Sequence, residues 1–578
     1  MKITYGAAPE SFKLIWGDRA RFNKSSIEAM PKDIKLVSGR NDTAAMQLVI
    51  SADELFALNI SSQPWFSQDA RRKNIRVACE LPFEYELYHI GMHLCDDAFY
   101  RADSLQTGSV CEADADGILS VYCEIKIPES AKKGSYSGKI KIFEGYGFAD
   151  EELVGEIAVS LEVYGFVFPK NKDNGFHLDL WQHPSNIARQ YGVALWSERH
   201  FDILRNYCES LGEAGVKCVT VIASEIPWNG QGCQNEQRYE ANLFEYSMIS
   251  VTRKQSGELE YDYSVMQKYI DLCAEYGIDE CISVYGLVNV WDTKEYGGMR
   301  TAPDYPDGVH IRVLDEASGS YGYIHKASEI DSYIRSLQEY FINTNQIEKV
   351  RIAADEPADI EAYRKSLEHI KAVAPVFKYK TAINHAEFVN EFGRDIYDFA
   401  PYISAMYSEY DALMQFKAEM PEKRFLYYVC CCPEIPNSFL RSELVDGYYV
   451  GILAAFAKMD GFLRWSYTCW TDHPNRDLRY GPFPVGDLGY VYPSPDGYPI
   501  STLRLKTLIR GIRYFVLLKE AEKRGLDEVI GKAYDMVLRE RDIKKLYANW
   551  EREKIMSLSC DDYREFAALL MSALEEQK

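Results

Sequence analysis

The sequence predicts a multidomain β and α/β protein: an N-terminal β-sandwich, a (β/α)8 barrel of TIM type, and C-terminal helices. Three observations carry this. At 578 residues the chain exceeds one ordinary domain. Its first part is strand-like and nearly free of helical periodicity, and the rhythm then changes to strand and helix in alternation.

In the first part, IKLVSG, AAMQLVISA, IRVACELPFEYELYHIGM, LSVYCEIKIP, SGKIKIFEG and GEIAVSLEVYGFVF are rich in β-branched and aromatic residues, and Gly, Pro, Asn and Asp separate them. Such a series predicts an antiparallel sandwich over residues 1–170. The polar stretch PKNKDNG, Pro169 to Gly175, reads as the boundary. A catalytic barrel is expected over 175–515. Its strands are FHLDLW, VKCVTVIA, DECISVYGLV, EKVRIAA, FKYKTAI, YISAMY, RFLYYVCC and GFLRWSY. Amphipathic segments such as SERHFDILRNYCESLGEAG, with Gly at its stop, lie between most of them. Residues 516–578 read as a helical segment packed on the barrel.

Lys plus Arg is 65 against 87 for Asp plus Glu, a formal charge of -22, which argues against nucleic-acid or anionic-membrane partners. The start MKITYGAAPESFKLIWGDR has no apolar signal core, and no run is long and apolar enough to span a bilayer. The 14 cysteines are scattered. Together these predict a reducing, cytoplasmic compartment and no membrane insertion. Aromatics make up 13% of the chain, which fits either a sugar-binding cleft or large cores.

Barrel catalytic groups sit where strands end. In strand order these ends offer Trp181, Gln182 and His183; Glu225 and Trp228; Tyr285 and Trp291; Asp355 and Glu356; Asn384 and His385; Tyr407; Tyr427, Tyr428 and the run Cys430, Cys431 and Cys432; then Trp465, Tyr467, Trp470, Asp472, His473 and Asn475. Aromatic, amide and carboxylate groups suit sugar recognition, although any one ring could equally pack in the core. Strand alternation splits the three cysteines between faces, so they read as packing residues. No HExxH, GxSxG or GxxxxGK[ST] pattern is present, and neither metal nor cofactor is expected.

The stretch RIAADEP, Arg351 to Pro357, is more specific. One acid could cap the following helix while the other works, and the proline pushes Glu356 towards extended geometry. Two opposed carboxylates of a retaining glycosidase stand roughly 5–5.5 Å apart across the bond. Adjacent residues, with Cα atoms about 3.8 Å apart, approach from one wall. A substrate whose own 2-acetamido group attacks the anomeric carbon removes the difficulty: one acid protonates the leaving oxygen and the other orients the acetamide.

These residues resemble glycoside hydrolase family 123, the β-N-acetylgalactosaminidases, over nearly the whole chain, and among them the clostridial members. The resemblance rests on GRNDTAAMQLV, IPESAKKGSYSGKIKI, DLWQHP, AADEP, GFLRWSYTCW and LGYVYPSPDGYPISTLRLKTLIRGI. It implies that Asp355 orients the acetamide and stabilises an oxazolinium intermediate. It implies that Glu356 is general acid and then general base, with retention. Trp465 and Trp470 match the late strand motif, and Trp181 and His183 the first-strand motif. Tyr285, Asn384, His385, Tyr407, Tyr428, Tyr467 and Asn475 are expected substrate contacts from their strand ends. Two features depart from the family: Arg464 stands where an aromatic is expected, and RGIRYF where relatives often carry acids.

The expected function is therefore an exo-acting hydrolase of terminal β-linked N-acetylgalactosamine on glycans such as glycosphingolipid sugars. A β-N-acetylglucosaminidase of the same mechanism, and a glycan-binding protein without turnover, are the alternatives. A charged Asp355 beside Glu356 is expected to raise the pKa of Glu356.

Overall fold

A computed structural model describes the whole chain except residues 17–21, 64–70, 147–148, 228–243, 289–299, 358, 482, 547–550 and 577–578. The N-terminal part holds two six-stranded sheets. One is antiparallel, in the order Ile3–Pro9, Asp42–Ala52, Ile118–Ile127, Tyr85–Leu94, Tyr100–Gln106, Ile15–Trp16. The other runs Asp33–Arg40, Glu152–Val167, Gly134–Gly145, Lys73–Glu80, Phe56–Asn59, Val110–Ala113. It is mixed, because its first pair and the pair Phe56–Asn59 with Lys73–Glu80 are parallel. The expected all-antiparallel pattern is corrected there.

One cluster of buried side chains joins the two sheets. It includes Met46, Leu48, Val121 and Ile125 from one and Ile75, Ile140, Ile157 and Leu161 from the other. Alternation along the strands produces this: Ile157, Val159, Leu161 and Val163 point in while Ser160 and Ala158 point out. The single run expected at IRVACELPFEYELYHIGM is two strands in different sheets, Lys73–Glu80 and Tyr85–Leu94, parted at Pro82.

After a short turn at Asn171–Asp173 comes an eight-stranded sheet. Its strands are His177–Leu180, Cys218–Ile222, Cys281–Tyr285, Val350–Asp355, Lys378–Ile383, Asp398–Pro401, Arg424–Tyr428 and Gly461–Arg464. Every pairing in it is parallel. Its two end strands are joined through a parallel bridge between Leu178 and Val216, where the Lys217 N–H donates to the Leu178 carbonyl at 2.9 Å.

The intervening helices start and stop where their caps dictate. Ser197 caps Glu198–Ala214, which ends at Gly215 in the left-handed conformation (φ 84°), and Asp359 caps Ile360–Val373 through the Ala362 N–H. The sixth strand is not YISAMY. The sheet pairs the preceding Asp398–Pro401, and Ile403–Ser408 is a helix. Pairing reaches one residue further, where the Tyr402 N–H donates to the Ile383 carbonyl at 2.6 Å, and the helix follows at once.

The helix Leu503–Lys523 runs without a break through residues 515 and 516 and ties the sandwich to the rest. Its Arg504 pairs with Asp103 at 2.9 Å, and its Arg510 with Glu10 and Asp42 at 3.2 and 3.1 Å. Among the described residues no helix is long and apolar enough to cross a membrane.

Candidate functional site

The fourth parallel strand ends at Asp355, in register with Ala382 of the fifth. Regular alternation would send Glu356 to the opposite face. Instead Glu356 takes a φ of 43°, a left-handed conformation that non-glycine residues adopt at a cost of about 1–3 kcal/mol. This corrects the extended geometry expected before Pro357. The Glu356 N–H still donates to the Ala382 carbonyl at 2.9 Å, so the turn is anchored to the sheet edge.

The Tyr428 hydroxyl, at the end of the seventh strand, donates to Glu356 Oε1 at 2.5 Å, and Asn384 Nδ2 lies 3.4 Å from Oε2. The Tyr428 hydroxyl also lies in the field of both Glu356 and Asp355. The phenol thus bonds Glu356 and senses the charge of Asp355.

Glu356 is half-buried, crowded by protein, and its carboxyl is raised above its ordinary range. Burial is the main cause. The Tyr428 hydrogen bond and His385 oppose it, while Cys432 and Asp487 add to it. The direction is the expected one, with burial rather than a neighbouring charge leading. Among the described residues no lysine or arginine ion-pairs with Glu356.

Asp487 was not anticipated. It is fully buried, 2.5 Å from Arg464 and 3.3 Å from the Trp465 indole nitrogen, and burial lifts its carboxyl to about 6. The signal was Arg464 itself: an arginine pointing into a sheet needs an acid. The arginine thus fills the aromatic's expected position by forming a buried ion pair.

The first-strand residues Trp181 and His183 lie beside this arc. Trp181 packs on Tyr285 in a tilted arrangement at 4.9 Å, and the His183 ring stands edge-on to Trp465 at 6.3 Å. His385 is partly exposed, 3.7 Å from Glu387.

Other expected contacts are not brought to the acids. The chain after Arg464 turns back beneath the helix Glu198–Ala214, so the Tyr467 hydroxyl bonds Ser210 at 2.8 Å. Trp470 packs on Tyr207 at 5.7 Å and donates to the Val491 carbonyl. Asn475 donates to the Pro493 carbonyl, and Tyr407 is buried on the helix Ile403–Ser408. Glu225 is held by Arg312 and Tyr323, both at 2.5 Å. Trp228 and Trp291 lie outside the described residues.

The three cysteines also depart from expectation. The seventh strand stops at Tyr428, and the Cys430 N–H closes a turn onto the Cys432 carbonyl at 3.0 Å. Alternation therefore never applies, and the three sulfurs lie within 4.8 Å of one another.

The sequence matches the family described as Glycoside hydrolase 123, catalytic domain, over residues 181–521, more than half of the chain. A solved family 123 glycoside hydrolase from Clostridium perfringens, described in terms of glycolipid glycan hydrolysis, is similar at 18% identity and a TM-score of 0.75. The match covers 100% of this chain and 98% of that one. That likeness establishes the shared fold. A β-glucuronidase from an uncultured Clostridium species is similar at 9% identity over 82% of this chain and 88% of that one. Its TM-score of 0.31 is too low to carry an argument. No curated protein matches.

Proposed function

The chain belongs to glycoside hydrolase family 123, and from that premise we propose that it is a retaining exo-β-N-acetylgalactosaminidase acting on glycans such as glycosphingolipid oligosaccharides. The observation that carries the reading is the adjacent pair Asp355 and Glu356, turned at Glu356 and met by one tyrosine. In this reading the eight-stranded sheet is a (β/α)8 barrel within residues 175–515, and residues 1–170 buttress it.

Glu356, whose carboxyl burial raises above its ordinary range, gives its proton to the leaving oxygen. Asp355 accepts the acetamide N–H and steadies the cationic ring that forms when the acetamide oxygen attacks the anomeric carbon. Glu356, now a carboxylate, takes a proton from water, which opens the ring from the face the aglycone left. Two inversions give retention. The substrate supplies the nucleophile, so adjacency of the acids is no handicap. Likeness to a protein described as acting on glycolipid glycans supports that class of substrate.

Three aryl glycosides test this. The β-N-acetylgalactosaminide is expected to turn over, and the β-galactoside without an acetamide is not. Equal rates on those two would remove substrate assistance. Faster turnover of the β-N-acetylglucosaminide would reassign the sugar and leave the mechanism.

A further inference from the structure

Two groups of three potential metal ligands occur among the described residues, and only one has room for an ion. His177, Cys218 and Cys281 are buried at the N-terminal end of the parallel sheet, where resident cations already serve them. The Lys380 ammonium donates to Asp179 and reaches the Cys218 sulfur at 3.5 Å, and Arg424 faces His177 at 3.4 Å. A metal ion would add a third positive charge to that space.

Cys430, Cys431 and Cys432 differ in every respect. Cys430 is half-buried, and Cys431 and Cys432 are exposed. The turn carrying them is pinned from beneath by buried side chains. Arg464 donates to the Val429 carbonyl at 3.1 Å, and Asn437 donates to the carbonyls of Cys430 and Pro433 at 3.0 and 2.6 Å. The backbone is thus fixed while Cys431 and Cys432 stay accessible.

The Cys430 and Cys431 sulfurs are 4.0 Å apart, and all three lie within 4.8 Å. Two thiolates about 2.3 Å from a tetrahedral zinc ion stand about 3.8 Å apart. Small rotations about the Cα–Cβ bonds close the difference, and the fourth position is left to solvent.

We propose that Cys430, Cys431 and Cys432 form a binding site for one thiophilic divalent cation of the zinc group, close to Glu356. Each coordinating thiol gives up its proton to solvent as its sulfur–metal bond forms. Soft thiolates select this class over magnesium or calcium, which take oxygen ligands. The bearing of the site on hydrolysis rests on the reading of Glu356 given above, but its existence does not.

The test uses the full chain, freed of metal by chelator and titrated with cadmium chloride, the ultraviolet cadmium–thiolate band reporting binding. The wild type is expected to bind one equivalent more than the variant carrying Cys431→Ser and Cys432→Ser. Equal stoichiometry in the two would overturn the proposal. A second measurement needs only the wild type: one equivalent of cadmium should slow iodoacetamide alkylation of Cys431 and Cys432 at least about tenfold. Unchanged alkylation would overturn it too. Neither readout involves turnover, so the site and the proposed hydrolase stand or fall separately.

Discussion

At the N-terminal end of the parallel sheet Asp398 meets Arg351 at 3.3 Å and Arg424 at 3.2 Å, Glu280 meets Arg424 at 2.5 Å, and Asp179 meets Lys380. At the C-terminal end Glu356 meets a phenol and an amide. The same strands build both ends, and both contain carboxylates. The acids below are answered by cations, which holds Asp398 and Glu280 below their ordinary range. Among the described residues Glu356 has no such cation, and burial raises it. A carboxylate held ionised by arginine braces the fold. One whose pKa is raised is better suited to deliver a proton. What separates Glu356 from the acids at the lower end is the partner, not the residue type; Asp487 at the upper end has an arginine, and its complete burial still raises it.

The sharpest way to break this contrast is at Glu356. Glu356→Gln should lower turnover of the aryl β-N-acetylgalactosaminide by about 10²–10⁴-fold, the usual worth of a positioned acid, with the unfolding midpoint nearly unchanged. Asp355→Asn should lose a comparable amount. Wild-type turnover in either variant would end the assignment. The lower end should respond the other way. Lys380→Met leaves Asp179 buried without its cation, at a cost of about 3–5 kcal/mol in denaturant unfolding. Activity per folded molecule should stay close to normal. A loss below about 1 kcal/mol would mean that the pair adds little to stability.

Two histidines at the upper end sharpen the comparison, because burial disfavours their charged form as it disfavours that of Glu356. His183 and His200 are buried, and burial lowers them to about 3 and about 4. His200 accepts the Trp196 N–H at Nδ1 and donates from Nε2 to the Pro184 carbonyl, a complete set for a neutral ring. Below pH 6.5 the unfolded chain takes up protons that these rings refuse in the folded chain. Each ring's stability contribution is therefore present above pH 6.5 and is lost as pH falls towards the folded value, at about 1.4 kcal/mol per pH unit. Thermal unfolding should fall steeply from pH 6.5 to pH 4. Replacing His200 with Gln should flatten that fall, and an unchanged slope would place the acid sensitivity elsewhere.

The sequence made much of this organisation legible through local pattern. The linker at Pro169–Gly175 and seven of the eight parallel strands follow from composition and punctuation. The sixth strand was misplaced because YISAMY has the same residue types as a strand, and only pairing decides between Asp398–Pro401 and the segment after it. The acid pair was visible as adjacency, but its geometry was not. Proline sets an extended preference on the preceding residue, and tertiary contacts to Ala382 and Tyr428 override it. Asp487 lies 23 residues from Arg464 in sequence and acquires meaning only through the ion pair. The cysteine trio was misread because alternation was applied past the strand's last residue.

The finest test concerns Tyr428. Its hydroxyl donates to Glu356 and so favours the carboxylate over the acid, opposing the effect of burial. The bond serves the second step, in which Glu356 must be ionised to accept a proton from water, more than the first. Tyr428→Phe removes the donor and leaves the aromatic body in place, so the fold should hold. The Glu356 pKa should rise further. The basic limb of the pH–activity profile should then move to higher pH, because the acid survives to higher pH, while the acidic limb moves the same way because the base is lost sooner. At neutral pH the net effect on turnover should be modest, about tenfold or less, within the worth of one hydrogen bond to a charged group. A profile that drops uniformly without moving would mean that Tyr428 positions the sugar rather than the proton.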